Sequence, residues 1–258
     1  MIRAKKSLGQ NFLMHARIAE RIAIESGAKP TDTVFEIGPG TGMLTKPLLE
    51  RAKKVIAIEA DAKLAAGLRE TFSSEIAEGR LDLIEDDIRT FDPSSLPSDY
   101  ILVANIPYYL TGEIIRTFLS AARAPASMTL LVQKEVAERI AREKKGSLLS
   151  IAVRTFGEPS YLFTVPRGAF TPAPNVDSAV LHIRGIKNPF GNAAEEKRFF
   201  DILRAGFAHK RKLLARNLEA VVSKEAIEAG FQAAGIPERA RAEDLSLTDW
   251  QTLSRTLI

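Results

Sequence analysis

Short apolar runs rich in valine and isoleucine recur along the first part of the chain: TVFEIG (33–38), KVIAIE (54–59), LDLIED (81–86), YILVAN (100–105) and MTLLVQ (128–133). Amphipathic stretches such as ADAKLAAGLRETFSSEIAEG separate them. Strands apolar on both faces and separated by helices predict an α/β fold, with a mostly parallel, doubly wound sheet. YLFTVP and VDSAVLHIR follow, joined by RGAFTPAPN. That link is too short and too rich in proline for a helical crossover, so these two strands are expected at an antiparallel edge. From about residue 187 the texture changes. KNPFGNAAEE reads as a linker. Helices are predicted after it, in EKRFFDILRAGFA, KRKLLARNLEAVV, KEAIEAGFQAAG and SLTDWQTLSRTL. The last begins with Ser246 three residues before Asp249, the spacing of a capping box. The pattern therefore divides the chain into 1–186 and a small all-α domain over 187–258.

Composition narrows this only a little. With 258 residues, 45% of them hydrophobic, the chain can build one large or two modest cores. The absence of cysteine excludes disulfides and thiolate metal sites and fits a reducing compartment. The opening MIRAKKSLGQNFL is basic but lacks the apolar stretch of a signal peptide. No run approaches the ~20 apolar residues that span a bilayer. A soluble, cytoplasmic protein is expected, without a membrane partner. The net charge of +4 is by itself a weak pointer to nucleic acid. His15, His182 and His209 are scattered without ligand spacing, so no metal is expected. Neither a Walker loop nor a GxSxG elbow occurs.

The first strand ends in EIGPGTGMLT, with glycines at 38, 40 and 42. Glycine permits tight backbone turns and leaves room for a ligand to approach. Glu59 closes the second strand, 21 residues after Gly38. In doubly wound folds an acid there bonds ribose hydroxyls. A dinucleotide fingerprint would place its third glycine at 43, where Met43 stands. The observed E-x-G-x-G-x-G is similar instead to the loop of class I methyltransferases, which implies S-adenosyl-L-methionine. Under that likeness Asp87, just after the third strand, would accept a hydrogen bond from the cofactor's adenine amine.

The fourth strand ends in VANIPYYL, residues 103–110. An exocyclic purine amine is a poor nucleophile, because its lone pair is delocalised into the ring. Two acceptors, the side-chain oxygen of Asn105 and the backbone carbonyl of Ile106, can grip its hydrogens and favour a tetrahedral nitrogen. Pro107 lacks an N–H and fixes the turn. Tyr108 offers a face for stacking, which for a nucleobase contributes about 1–3 kcal/mol. Positioning and local dipoles then lower the barrier without a strong general base.

Taken together, KKSLGQNFL, VFEIGPGTGMLT, VIAIEAD, VANIPYYLT, LLVQKEVAERI, GAFTPAPNVDSAV, HKRKLLARNL and RAEDLSLTDWQTLSRTL occur in an order that resembles the KsgA/RsmA family of small-subunit rRNA adenine dimethyltransferases. The resemblance covers nearly the whole chain. It implies a Rossmann-like class I methyltransferase domain followed by a helical RNA-binding domain. It implies that Gln10, Asn11 and Leu13 close over the cofactor, and that Gly38, Gly40, Glu59, Asp87 and Asn105 contact it from the core. Tyr108 and Phe170 would sandwich the target adenine; Phe170 also fits a loop aromatic tucked into the core. The implied substrate is 16S rRNA in a pre-30S small subunit, dimethylated at two adjacent adenosines of its 3′-terminal hairpin by a monomeric enzyme. Arg167, Asn175 and Ser7 depart from the family pattern in positions that bear on loop rigidity and RNA affinity.

Arg204, Lys210, Arg211, Lys212 and Arg216 fall within RAGFAHKRKLLAR, which contains no acid, and the N-terminal arm adds Arg3, Lys5 and Lys6. Such cations on a helix and an arm would neutralise phosphates without reading sequence, and RNA would be recognised by shape. Two alternatives stay open: an Erm-like methyltransferase of large-subunit rRNA conferring macrolide resistance, and a non-catalytic assembly or nucleic-acid-binding relative.

Overall fold

The computed structural model describes residues 9–257. Its strands are β1 (Phe12–Leu13), β2 (Thr33–Ile37), β3 (Lys54–Glu59), β4 (Leu81–Glu85), β5 (Ile101–Asn105), β6 (Ser127–Gln133), β7 (Glu158–Val165), β8 (Phe170–Thr171) and β9 (Ser178–Arg184). Seven of them form one sheet in the order β4-β3-β2-β5-β6-β9-β7. β4, β3, β2, β5 and β6 run parallel. β9 and β7 complete the sheet antiparallel, as the stiff loop between them requires. Nearly every residue of β2, β5 and β6 is buried, which is why these strands read as continuous apolar runs. β7, at the edge, is only half-buried along most of its length, and its register shifts between Tyr161 and Phe163. The fold is thus the Rossmann-like α/β architecture expected of a class I methyltransferase.

The strand order reverses between β2 and β5: the chain first adds β3 and β4 on one side, then returns to add β5 and β6 on the other. Connections leave in opposite directions there, so a crevice opens at the carboxyl ends of the strands.

One residue of β2 breaks the apolar pattern. Glu36 is 1% exposed, its Oε2 has no hydrogen-bond partner among the described residues, and burial pushes its carboxyl up to about 8. The folded protein therefore holds a proton that the unfolded chain releases near the ordinary value of 4.5. Stability from this site is present below that value and is lost as pH rises towards about 8. Glu36→Gln is expected to flatten that decline. Urea unfolding of both proteins on either side of the interval measures it, and an unchanged pH slope would place the proton elsewhere.

The chain divides into two compact units, 1–138 with 157–187, and 139–156 with 188–258. The second departs from the sequence reading, which ran the first domain unbroken to 186. The segment 139–156 leaves the first unit because Ile151 packs in the helical core with Phe199, Leu203, Trp250 and Leu253. That core is held by helices Leu148–Phe156, Ala193–Gly206, Leu214–Leu218, Lys224–Ala234 and Leu247–Thr256. Ser246 and Asp249 form the expected capping box. A second correction concerns KRKLLARNLEAVV, where only Leu214–Leu218 is helical. The Leu214 N–H is diverted to the Ala240 carbonyl at 2.9 Å. The buried Asn217 amide donates to the carbonyls of Gly206 at 2.6 Å and His209 at 3.1 Å, fixing residues 207–213 as a turn. The stretch over 60–79 likewise splits, into Ala62–Thr71 and Ser73–Ala77, with the buried Phe72 at the break.

Candidate active site

A cleft opens where the sheet order reverses, and four strand ends supply its wall. β2 contributes Gly38 and Gly40, β3 Glu59, β5 Asn105, and the segment after β4 Asp86, Asp87 and Arg89. Gly38, Gly40 and Gly42 all have positive φ, at 66°, 59° and 80°. Space constrains two of them as well. A Cβ on Gly40 would lie 3.1 Å from the Phe12 ring, and one on Gly42 2.5 Å from the Phe72 ring. The alternating glycines thus let the turn fold between a strand and two aromatic rings.

Glu59 is 6% exposed. Its Oε2 accepts the Gly40 N–H at 3.0 Å and its Oε1 the Asp61 N–H at 2.9 Å. Burial pushes its carboxyl above the usual carboxylate range, against the opposing pull of these backbone bonds. The carboxylate therefore fixes the glycine turn, and its two oxygens keep capacity to accept from a hydroxyl. Asp87 also lines the cleft, but its Oδ1 takes the Arg89 backbone N–H at 2.9 Å and its carboxylate faces the Arg89 guanidinium. Arg89 holds the Asp87 carboxyl below its ordinary value. Neither Asp86 nor Arg89 was singled out in the sequence; only the fold brings them into this wall.

Asn105 ends β5 half-buried, and its Nδ2 donates to the Asn11 carbonyl at 3.0 Å. That bond uses the nitrogen and leaves Oδ1 as an acceptor. The Tyr108 hydroxyl shares a 2.7 Å hydrogen bond with the Ser178 hydroxyl, which ties the ring to β9, and burial raises its pKa. Gln10 and Asn11 line the cleft, as do Ile106 and Pro107.

Leu13 and Phe170 do not line the cleft. They face each other in the short antiparallel pair of β1 and β8, each 4% exposed, within the apolar core. The structure therefore places the Phe170 ring in the core, where β8 is tied down by β1. Arg167 departs from the expected proline, yet its N–H donates to Asp177 Oδ1 at 2.9 Å, a bond that proline could not make.

The basic cluster also changes character in three dimensions. Arg204 is paired with Asp201 at 2.6 Å and Arg216 with Glu219 at 3.3 Å. Lys210, Arg211 and Lys212 stand in the exposed turn rather than on a helix, without ion pairs among the described residues. Arg3, Lys5, Lys6 and Ser7 lie outside the described residues.

These donors and acceptors suit S-adenosylmethionine. Glu59 offers acceptors to ribose hydroxyls, Ile58, Ala60 and Ile88 give apolar walls to a base, and Asp87 faces the same space. No described helix is long and apolar enough to cross a membrane.

The chain matches the family model for ribosomal RNA adenine dimethylase over residues 1–258. A protein of Dehalococcoides mccartyi named ribosomal RNA small subunit methyltransferase A is 41% identical, over 98% of this chain and 88% of its own length. The protein of that name from Geobacillus thermodenitrificans is 38% identical, over 98% and 91%. Among solved structures, a dimethyladenosine transferase from Plasmodium falciparum superposes with a TM-score of 0.80 at 26% identity, over 94% of this chain and 95% of that one. The 23S rRNA methyltransferase ErmE does so with a TM-score of 0.77 at 28% identity, over 96% and 99%. With its glycine turn, its strand-end acid and its matched length from end to end, the chain belongs to the ribosomal RNA adenine dimethylase family.

Proposed function

We propose that the enzyme methylates the exocyclic amines of two adjacent adenosines in the 3′-terminal hairpin of 16S rRNA, within a pre-30S particle in the cytoplasm, giving dimethyladenosine and serving small-subunit biogenesis. The observation that carries this reading is the Asn105 amide at the end of β5, its nitrogen bonded to Asn11 and its oxygen left to receive an N–H. The relatives named for small-subunit RNA support the choice of substrate.

S-adenosylmethionine supplies an electrophilic methyl group on a sulfonium. Glu59 would hold its ribose, Gly38 and Gly40 would let it approach the protein backbone closely, Asp87 would face its adenine, and Gln10, Asn11 and Leu13 would belong to the segment that covers it. Asn105 Oδ1 and the Ile106 carbonyl would accept the two hydrogens of the target amine. The nitrogen would present its lone pair to the methyl carbon; as the N–C bond forms the C–S bond would break, its electron pair staying on sulfur as the neutral thioether of S-adenosylhomocysteine, and the amine's extra proton would leave to water. Tyr108, held by Ser178, would provide the stacking face. Phe170 would complete the sandwich only if the β1–β8 pair opens.

The helical unit would hold RNA through Lys210, Arg211 and Lys212, with Arg204 and Arg216 beside them and Arg3, Lys5 and Lys6 on the N-terminal arm. Cations of this kind position a phosphate backbone without specifying sequence. A single polypeptide chain would suffice.

The similarity to ErmE sustains a second reading, in which the substrate is 23S rRNA. Radiolabelled methyl transfer to undermethylated small subunits and, in parallel, to undermethylated large subunits, with primer extension to map the site, separates the two. Label in adjacent 3′-hairpin adenosines is expected. Label confined to large-subunit RNA would establish the second reading, and cofactor binding without transfer would leave a binding protein.

A further inference from the structure

Gly9, Gln10 and Asn11, just before β1, form a strap that lines the cleft and meets the segment at the end of β5 at two points, with one bond inside the strap bracing them. Asn105 Nδ2 donates to the Asn11 carbonyl at 3.0 Å. The Asn11 side chain in turn donates its Nδ2 to the Gly9 carbonyl at 3.2 Å. Gly9, with φ at 59°, lies against the Tyr109 ring so closely that a Cβ there would be 3.0 Å from Tyr109 Cε1 and 3.7 Å from Pro107 Cβ. At its other end the strap is anchored by the β1–β8 pair and by the Met14 N–H on the Ala169 carbonyl at 2.8 Å.

Tyr109 is 58% exposed, an unusual position for a large aromatic side chain. Burial of its own surface does not explain it, and its neighbour Tyr108 already supplies a fixed ring. What Tyr109 does contact is the one residue of the strap that has no side chain to resist it. An amide side chain has two similar ends, and its orientation is set by the hydrogen bonds offered to it. Here the Asn11 carbonyl accepts from the nitrogen end, so the oxygen end is the one left to the cleft.

We propose that Tyr109 is a positioning residue that clasps the strap at Gly9, and that the strap, through the Asn11 main-chain carbonyl, orients the Asn105 amide with Oδ1 towards the incoming amine. The inference rests on the proposed role of Asn105. Acceptance of the target base would then be coupled to seating of the strap: while the strap is displaced, the amide is free to turn and present a donor to an amine that needs an acceptor.

The test uses the full chain with Tyr109→Ala, Tyr109→Phe and Asn11→Ala. The side-chain amide resonance of Asn105, assigned by its loss in Asn105→Ala, reports hydrogen exchange without RNA. Single-turnover transfer to undermethylated small subunits reports rate, and calorimetry with S-adenosylhomocysteine reports cofactor-site affinity. For Tyr109→Ala the rate is expected to fall roughly 10–100-fold, as small misplacements of a positioned group do, with affinity held. The Asn105 amide protons should exchange faster in Tyr109→Ala and in Asn11→Ala, and Tyr109→Phe should match the parent in every readout. Unchanged amide exchange in Tyr109→Ala would overturn the inference, as would equal losses of rate and affinity, which would make the strap only a cover. Loss in Tyr109→Phe would assign the effect to the hydroxyl and also sink it. A parent protein that transfers no methyl group to small subunits would sink the substrate reading instead, and the amide measurement would still decide the strap.

Discussion

Asn105→Ala is expected to lower the single-turnover rate of methyl transfer roughly 10²–10³-fold, the loss typical of removing one preorganised dipole from a reacting centre. Two effects add. The variant removes Oδ1, the acceptor that would draw the target amine towards a tetrahedral nitrogen. It also removes Nδ2, and with it the 3.0 Å bond to the Asn11 carbonyl that holds the strap. The cofactor wall is otherwise intact, because Glu59 keeps the Gly40 and Asp61 N–H groups and the glycine turn keeps its shape. Affinity for S-adenosylhomocysteine should therefore fall much less than the rate. Asn105→Asp is the sharper companion. It restores an acceptor but lacks the N–H₂, and it sets a negative charge against the Asn11 carbonyl. It should stay as slow as the alanine variant. A fast aspartate variant would mean that any acceptor serves and that the amide's second end is idle.

Trp250→Ala is expected to destabilise the helical unit by about 3–5 kcal/mol, the range for removing a fully buried aromatic side chain. Trp250 has no exposed surface, and its ring stacks on Phe207 with centroids 5.4 Å apart. Gly206 is shaped to it: a Cβ there would stand 2.3 Å from Trp250 Cη2. Among the described residues the indole N–H has no hydrogen-bond partner, so packing rather than a hydrogen bond holds the ring. A loss of that size is a large part of the stability of a unit this small. Amide hydrogen exchange should therefore rise in Ala193–Gly206 and Leu247–Thr256 and stay slow in β2 and β5. Uniform loosening of both units, or a loss below about 1 kcal/mol, would show that the indole fills a site able to collapse around it.

The sheet was legible because its central parallel strands β2, β5 and β6 are buried at nearly every residue and write that burial directly as runs of apolar residues. Its ends were legible as well. Gly38 and Glu59 carry backbone and hydrogen-bonding requirements that few other residues meet, and Ser246 with Asp249 writes out a cap in full. Spacing sufficed for these features, because they are local or repeat from strand to strand.

Contacts between distant segments were not legible. Nothing in VANIPYYL says that its asparagine bonds the backbone of Asn11, 94 residues earlier in the chain. Nothing in GAFTPAP says that Phe170 pairs with Leu13 and turns into the core. The resemblance that puts Phe170 beside a base assigns a role, whereas its side-chain position follows from a two-residue strand pairing too short to leave a periodic signal. The basic run near residue 210 looked like one charged helix, because Asp201 and Glu219, which partner its ends, lie outside it in sequence. By itself, then, the sequence determined the sheet, the glycine turn, the strand-end acid and the N-x-P-Y terminus, all set by local backbone and burial requirements. Tertiary structure alone decided which end of the Asn105 amide is bonded to Asn11, which rings are buried and which cations are paired, because each depends on a partner brought close only by the fold.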